Sequence, residues 1–211
     1  PAMNLLLVTA DQWRGDSLGA VGHPCVRTPH VDRLAAEGTL FTRHYGQATP
    51  CGPARAALYT GLYALNHRSI TNGTPLDRRH THLARALRAL GRTPAVFGYT
   101  DTSLDPRGLP PADPRLKTYE GFAPEWEVVQ PLLEDGAPWL DWLEDKGYGK
   151  LELADVYGGA LGEPAPFSAA HGETAFLTDR FLAWLERQEA GWCAHVSFIK
   201  PHPPLVAEIG R

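Results

Sequence analysis

The stretch Thr49-Pro50-Cys51-Gly52-Pro53-Ala54-Arg55-Ala56-Ala57-Leu58-Tyr59-Thr60-Gly61 sets a cysteine and an arginine one helical turn apart. Cys51 stands just before a predicted helix start, with Pro53 at an early helical position where a missing N–H costs nothing. A group placed there looks at unpaired backbone N–H donors and the positive end of the helix dipole, which suits an anion. Arg55 can return its guanidinium to the same point. Ala56, Ala57 and Leu58 supply a small, tightly packing face, and Gly61 is a natural stop. Taken alone, a cysteine here reads first as a buried structural residue at a loop–helix junction.

Other polar residues stand where strands are predicted to end. Asn4 to Ala10 is a continuous apolar run, predicted as a strand buried on both faces of a parallel sheet, and it delivers Asp11 and Gln12 at its end. In open α/β sheets, ligands bind outside the carboxyl ends of the strands, so Asp11 suits a metal ligand as well as a turn cap. Thr93 to Tyr99 is a second buried strand and leads into Thr100, Asp101 and Thr102 on the same rim. Trp192 to Ile199 is a further strand ending in Lys200-Pro201-His202-Pro203-Pro204, where flanking prolines hold the histidine rigidly.

Helices alternate with these strands. Thr28 caps a helix with Pro29 at its first position, Val31, Leu34 and Ala35 as its buried stripe, and Gly38 at its close. Leu40 to Tyr45 is predicted as a strand leading to the Cys51 loop, and Leu83 to Leu90 as an amphipathic helix stopped by Gly91. The stretch from Asp105 to Gly172 is rich in proline, glycine and tryptophan, and is predicted as an elaborated loop and short-helix region shaping the pocket mouth. Within it, Trp139, Leu140, Trp142 and Leu143 share one helical face as core. A long helix follows from Glu173 to Gln188, with Phe176, Leu177, Phe181, Leu182, Trp184 and Leu185 turned inward. The fold class is α/β, a mainly parallel sheet sandwiched between helices.

Cys-x-Pro-x-Arg followed by a short apolar run and Thr-Gly resembles the signature of the sulfatase family, which includes phosphonate monoester and phosphodiester hydrolases of the alkaline-phosphatase superfamily. Further pieces occur in family order: Asp11, the segment from Thr28 to Gly38, Asn72, Tyr99 with Thr100 or Thr102, and the Lys200–His202 turn. The resemblance implies that Cys51 is oxidised to formylglycine, whose hydrate is the nucleophile, with Arg55 and His202 as its catalytic companions. It implies one divalent cation (Ca, Mn or Mg) held by Asp11, the modified Cys51 and Gln12, the last standing where relatives carry an acid. Asn72, Tyr99, Thr100, Thr102 and Lys200 would contact a small ester substrate. No lysine lies between Thr93 and Gly108, where other sulfatases carry one, which favours the phosphonate and phosphodiester branch. Residues 1–211 would form the N-terminal portion of such a domain, apparently truncated, since the groups that complete the metal site come from a later half. Association with that half, or with a second copy, is expected. A non-catalytic α/β domain with an ordinary thiol at Cys51 is the alternative.

Composition fits either. A net charge of −4 over 211 residues gives no basic footprint for nucleic acid or an acidic membrane surface. Cys25, Cys51 and Cys193 are widely spaced and form no zinc or disulfide pattern. Neither a signal segment after Pro1 nor an apolar run of about 20 residues occurs, so a cytoplasmic location is predicted.

Overall fold

Four short apolar runs form one parallel sheet in the computed structural model, which describes residues 3–159 and 163–209. The chain start at Pro1-Ala2 and its end at Arg211 lie outside them. In order, the elements are β1 (Leu5–Ala10), α1 (Pro29–Glu37), α2 (Cys51–Thr60), α3 (Ala64–His67), α4 (Leu83–Ala89), β2 (Pro94–Gly98) and β3 (Glu127–Pro131). Then come α5 (Ala137–Leu143), α6 (Leu153–Tyr157), β4 (Pro164–Ser168), α7 (Glu173–Leu185), β5 (Cys193–Phe198) and β6 (Ala207–Ile209). The strand order is β1-β5-β2-β3, and β4 pairs with β6 in a separate two-stranded sheet. Because β1, β5 and β2 run parallel, Asp11, Lys200 and Tyr99 leave the sheet along one edge.

Side chains alternate across the strands and meet a helical layer on each face. On one face Val96 packs with Tyr59 of α2, Ala84 of α4 and Trp126. On the other, Ala95, Phe97 and Val196 pack against Trp139 and Leu143 of α5 and Phe176, Leu177 and Phe181 of α7. The predicted sandwich and the core face of α5 are both present. His195 is buried between the layers, with Nε2 3.0 Å from Thr9 Oγ1 and Nδ1 3.3 Å from Tyr59 OH. Burial, then Arg55, pushes its pKa down to about 3, so it is a neutral core histidine.

Gly98 ends β2 in a left-handed conformation (φ 90°), and a Cβ there would lie 2.1 Å from the Ser197 carbonyl oxygen. Only glycine admits that approach between the two central strands.

Several expectations are corrected. β1 is an edge strand of the described sheet, with Leu6 and Val8 exposed on one face and Leu5 and Leu7 half-buried on the other, so the expected burial on both faces is corrected. The stripe Val31, Leu34 and Ala35 of α1 is not buried, Leu34 being 69% exposed, because no described element packs over it. Leu40 to Tyr45 forms no strand; it has no neighbour to pair with, and Phe41 and Tyr45 stand in solvent. Thr28 begins α1, but its hydroxyl bonds Asp32 at 2.7 Å and does not cap the helix. α7 stops at Leu185, and Leu182 turns outward. The stretch 105–172 holds two strands as well as loops, and β3 joins the main sheet at its far edge.

Candidate active site

Asp11, the first residue after β1, is the point on which the neighbouring groups converge. Its Oδ1 lies 3.8 Å from Cys51 Sγ, and its Oδ2 lies 3.4 Å from Arg55 Nη2 and accepts a hydrogen bond from Tyr99 OH. The helical spacing of Cys51 and Arg55 therefore does bring both to one spot. Arg55 is nearly fully buried, donates to Ser197 Oγ at 2.8 Å and to the Tyr99 carbonyl at 3.3 Å, and lies 4.2 Å from the Tyr99 ring centre. A buried guanidinium so held is preorganised to stabilise negative charge on whatever occupies position 51.

Cys51 opens α2 itself, with Pro50 as the N-cap, and Gly61 closes the helix in the left-handed conformation (φ 68°). The row of free donors expected there is largely used. Asn72 Oδ1 accepts the Gly52 N–H at 2.9 Å, and Pro53 has no N–H to give. Asn72 thus caps the helix that carries the cysteine. The thiol pKa is raised, first by burial and then by Asp11 and Asp101, against the pull of Arg55. Cys51 is held as a thiol, the opposite of the electropositive setting that makes a reactive thiolate.

Of the residues after β2, Tyr99 lines the cavity and the two threonines do not. Thr100 is fully buried and its hydroxyl donates to the Gly121 carbonyl, while Thr102 Oγ1 donates to the Thr100 carbonyl at 2.9 Å. They tie the loop together, so their assignment as substrate contacts is corrected. Asp101 faces the cavity instead, from a left-handed backbone (φ 49°). Its Oδ1 is buried without a hydrogen-bond partner. Burial, with Asp11 and Glu134 acting the same way against Arg55, lifts its pKa to about 6. Sequence reasoning passed over Asp101, although an acid just beyond a parallel strand end was itself a signal.

Gln12, next along the chain from Asp11, is exposed with a left-handed backbone (φ 57°) and lies outside the residues that line the cavity. Lys200 and His202 do line it. Lys200 Nζ lies 3.3 Å from Glu173 Oε2 and donates to the Pro204 carbonyl at 2.8 Å. The His202 Nδ1 hydrogen-bonds the Pro203 carbonyl, which assigns the ring proton to Nδ1 and leaves Nε2 for the cavity. Tyr119, Glu120, Glu134, Leu153 and Tyr157 complete a cavity of about 330 Å3, so the 105–172 stretch forms its wall as expected.

The donor set suits a hard cation in part. Asp11 and Asp101 offer carboxylate oxygens, and the orphaned Oδ1 of Asp101 lacks a positive or donor partner. Among the described residues no three His, Cys, Asp or Glu side chains gather closely enough to hold a metal ion. The chain therefore fits one side of such a site, where about six oxygens are wanted. No described helix is long and apolar enough to cross a membrane.

Comparison with known proteins agrees with this geometry. The chain is 36% identical over 219 residues to the multifunctional alkaline phosphatase superfamily protein PehA of Trinickia caryophylli, covering 97% of this chain and 43% of that one. It superimposes on the phosphonate monoester hydrolase of Agrobacterium radiobacter with a TM-score of 0.93 and 49% identity, over 98% of this chain and 42% of the other. The phosphonate monoester hydrolase SpPMH of Silicibacter pomeroyi gives 0.88 and 40%, over 98% of this chain and 43% of that enzyme. The chain spans less than half the length of each of these relatives. Since the sulfatase family model matches residues 3–208, almost the whole sequence, the protein belongs to the sulfatase family, in the alkaline phosphatase superfamily.

Proposed function

We propose that the protein is a metal-dependent hydrolase of phosphonate monoesters and phosphodiesters, working through formylglycine made from Cys51. The observation that carries this reading is the setting of Cys51, whose thiol faces the Asp11 carboxylate with a raised pKa. A sulfur nucleophile is disfavoured there, while an oxygen nucleophile beside Arg55 is supported. Likeness to two phosphonate monoester hydrolases at 40% and 49% identity supports phosphorus as the reacting centre.

Once formed at position 51, the formylglycine hydrate would supply an oxygen nucleophile, and a bound divalent cation would supply Lewis acidity toward the ester oxygens. Asp11 would hold that cation together with the residue at position 51. The work of the remaining side chains follows from their positions. Arg55 neutralises charge that develops at position 51, from a site where water does not screen it. Asn72, tied through Oδ1 to the Gly52 N–H, keeps its amide nitrogen for an ester oxygen. Tyr99 holds Asp11 in place through its hydroxyl. His202, with Nδ1 committed to Pro203, gives a proton from Nε2 to the departing alkoxide when the ring is protonated. Lys200 holds the wall against α7 through Glu173.

The test joins mass spectrometry to kinetics. After expression with the maturing enzyme, the peptide containing Cys51 should be about 18 Da lighter, the difference between a thiol and an aldehyde. Unchanged mass in active protein refutes formylglycine. Aryl phosphonate monoesters and phosphodiesters should be cleaved faster than the matching aryl sulfates. A sulfate preference beyond about tenfold, ~1.4 kcal/mol in barrier, reverses the assignment.

A further inference from the structure

Two tyrosine–glutamate pairs line the cavity wall. In the first, Tyr157 OH donates to Glu173 Oε2 at 2.8 Å; Lys200 Nζ sits 3.3 Å from the same oxygen and 4.6 Å from the Tyr157 ring centre. A carboxylate and an aromatic face together hold an ammonium there. In the second, Tyr119 OH donates to Glu134 Oε1, and the Glu134 backbone N–H is fixed by Glu120 Oε2 at 2.7 Å. The second pair repeats the first without its cation: among the described residues no lysine or arginine pairs with Glu134.

Asp101, offered above as an oxygen donor to a cation, is a second acid on this wall that lacks a positive partner of its own among the described residues. It is 5% exposed and lines the same cavity, and its Oδ1 has no hydrogen-bond partner. A buried carboxylate oxygen left without a donor is costly, and a positive charge held nearby in the cavity lowers that cost. Glu134 is among the charges that act on Asp101, so the two acids share one field. Glu120, also buried, is raised in pKa by burial and by the nearby Asp101. Arg55 and His202 offset part of the repulsion at Asp101, and a positive group entering the cavity relieves more of it.

We propose that Tyr119, Glu134 and Asp101 form a subsite for a positively charged nitrogen, so that the preferred ester carries an alkylammonium arm. This rests on the hydrolase reading above and narrows its substrate class. A hard, hydrated metal ion gains little from an aromatic face, whereas a weakly hydrated organic ammonium gains from both the ring and the carboxylates. The cavity of about 330 Å3 accommodates a diester with one short arm.

The test uses the protein as its gene encodes it and two 4-nitrophenyl phosphodiesters. One carries a 2-(trimethylammonio)ethyl arm and the other its neutral 3,3-dimethylbutyl isostere, so both release the same reporter. The ratio of kcat/KM for the cationic over the neutral diester should be about tenfold, from one carboxylate and one ring at a partly exposed wall. That ratio should collapse toward one in Glu134→Gln and in Tyr119→Leu, and should fall with added salt. A ratio at or below one in the unaltered protein overturns the subsite, as does a ratio that both variants retain. Calorimetric titration with tetramethylammonium reads the subsite without turnover. Binding that Glu134→Gln abolishes, in a protein that cleaves neither diester, keeps the subsite and refutes the hydrolase. Equal cleavage of both diesters with no tetramethylammonium binding keeps the hydrolase and refutes the subsite.

Discussion

Replacing Asp101 by asparagine should stabilise the protein, and by more as pH rises. The carboxyl is 5% exposed, with Oδ1 unpartnered. Burial, reinforced by Asp11 and Glu134 and opposed by Arg55, lifts its pKa from 3.8 to about 6. The folded state keeps this proton to about pH 6, while the unfolded chain releases it near 3.8. Between those values the native state binds more protons than the unfolded one, so stability falls as pH rises and levels off above the folded pKa. At about 1.4 kcal/mol per pKa unit, the ionised side chain costs up to about 3 kcal/mol, of which roughly 2 accrues between about pH 4.5 and about pH 7.5. Asparagine keeps the shape and carries no charge, so the variant escapes this loss. Urea unfolding of both proteins at the two pH values, with a chelator present, reads the difference directly. The variant's advantage should widen by about 2 kcal/mol from the lower to the higher pH. A gap that stays constant within about 0.5 kcal/mol refutes the claim that Asp101 is ionised at a cost.

Three further outcomes are expected. Asp11→Ala should abolish divalent-cation retention after gel filtration and turnover together, because one rigid carboxylate is lost; wild-type metal content and rate would reduce Asp11 to a turn residue. His202→Ala should slow esters with poor alkyl leaving groups by about 10² or more and activated 4-nitrophenyl esters far less, since a proton donor matters only where the leaving group needs one; an equal loss for both removes His202 from that role. Gly98→Ala should cost at least about 3 kcal/mol, because its Cβ would meet the Ser197 carbonyl and its backbone is left-handed; a thermal midpoint unchanged from wild type would show that β2 and β5 can separate freely.

What the sequence made legible is what periodicity and strand ends encode. Cys51 and Arg55 meet because residues one turn apart on a helix share a face, and Asp11, Tyr99 and His202 reach one rim because their strands run parallel. The apolar run of β1 looked doubly buried, but composition does not distinguish an edge strand from an inner one when only one neighbour pairs with it. Which of Thr100, Asp101 and Thr102 faces inward is set by a left-handed backbone at Asp101, and neither period 2 nor period 3.6 carries that choice. Glu120, Glu134 and Tyr119 were invisible as wall residues for a similar reason. They lie in a stretch of turns whose path depends on tertiary packing, Trp126 against Tyr59 and Ala84 on one side and Leu132 against α5 and α7 on the other.

The cavity at the rim of the parallel sheet has two kinds of wall, held by different amounts of surrounding structure. Arg55 and Tyr99 are anchored to a buried helix and an inner strand, and Asp11, at the end of the edge strand β1, is tied to both by their hydrogen bonds to its carboxylate. Apart from the turn after β5 that carries Lys200 and His202, the opposing wall belongs to one stretch that leaves after β2, adds β3 only at the outer edge of the sheet, and returns at α7. An edge strand can be lengthened, shortened or replaced without unpairing its neighbours on the far side. Exchanging that segment would therefore change what the cavity recognises and leave Asp11, Cys51 and Arg55 where they are. The same boundary is where a designer would cut to graft a new preference onto an old chemistry.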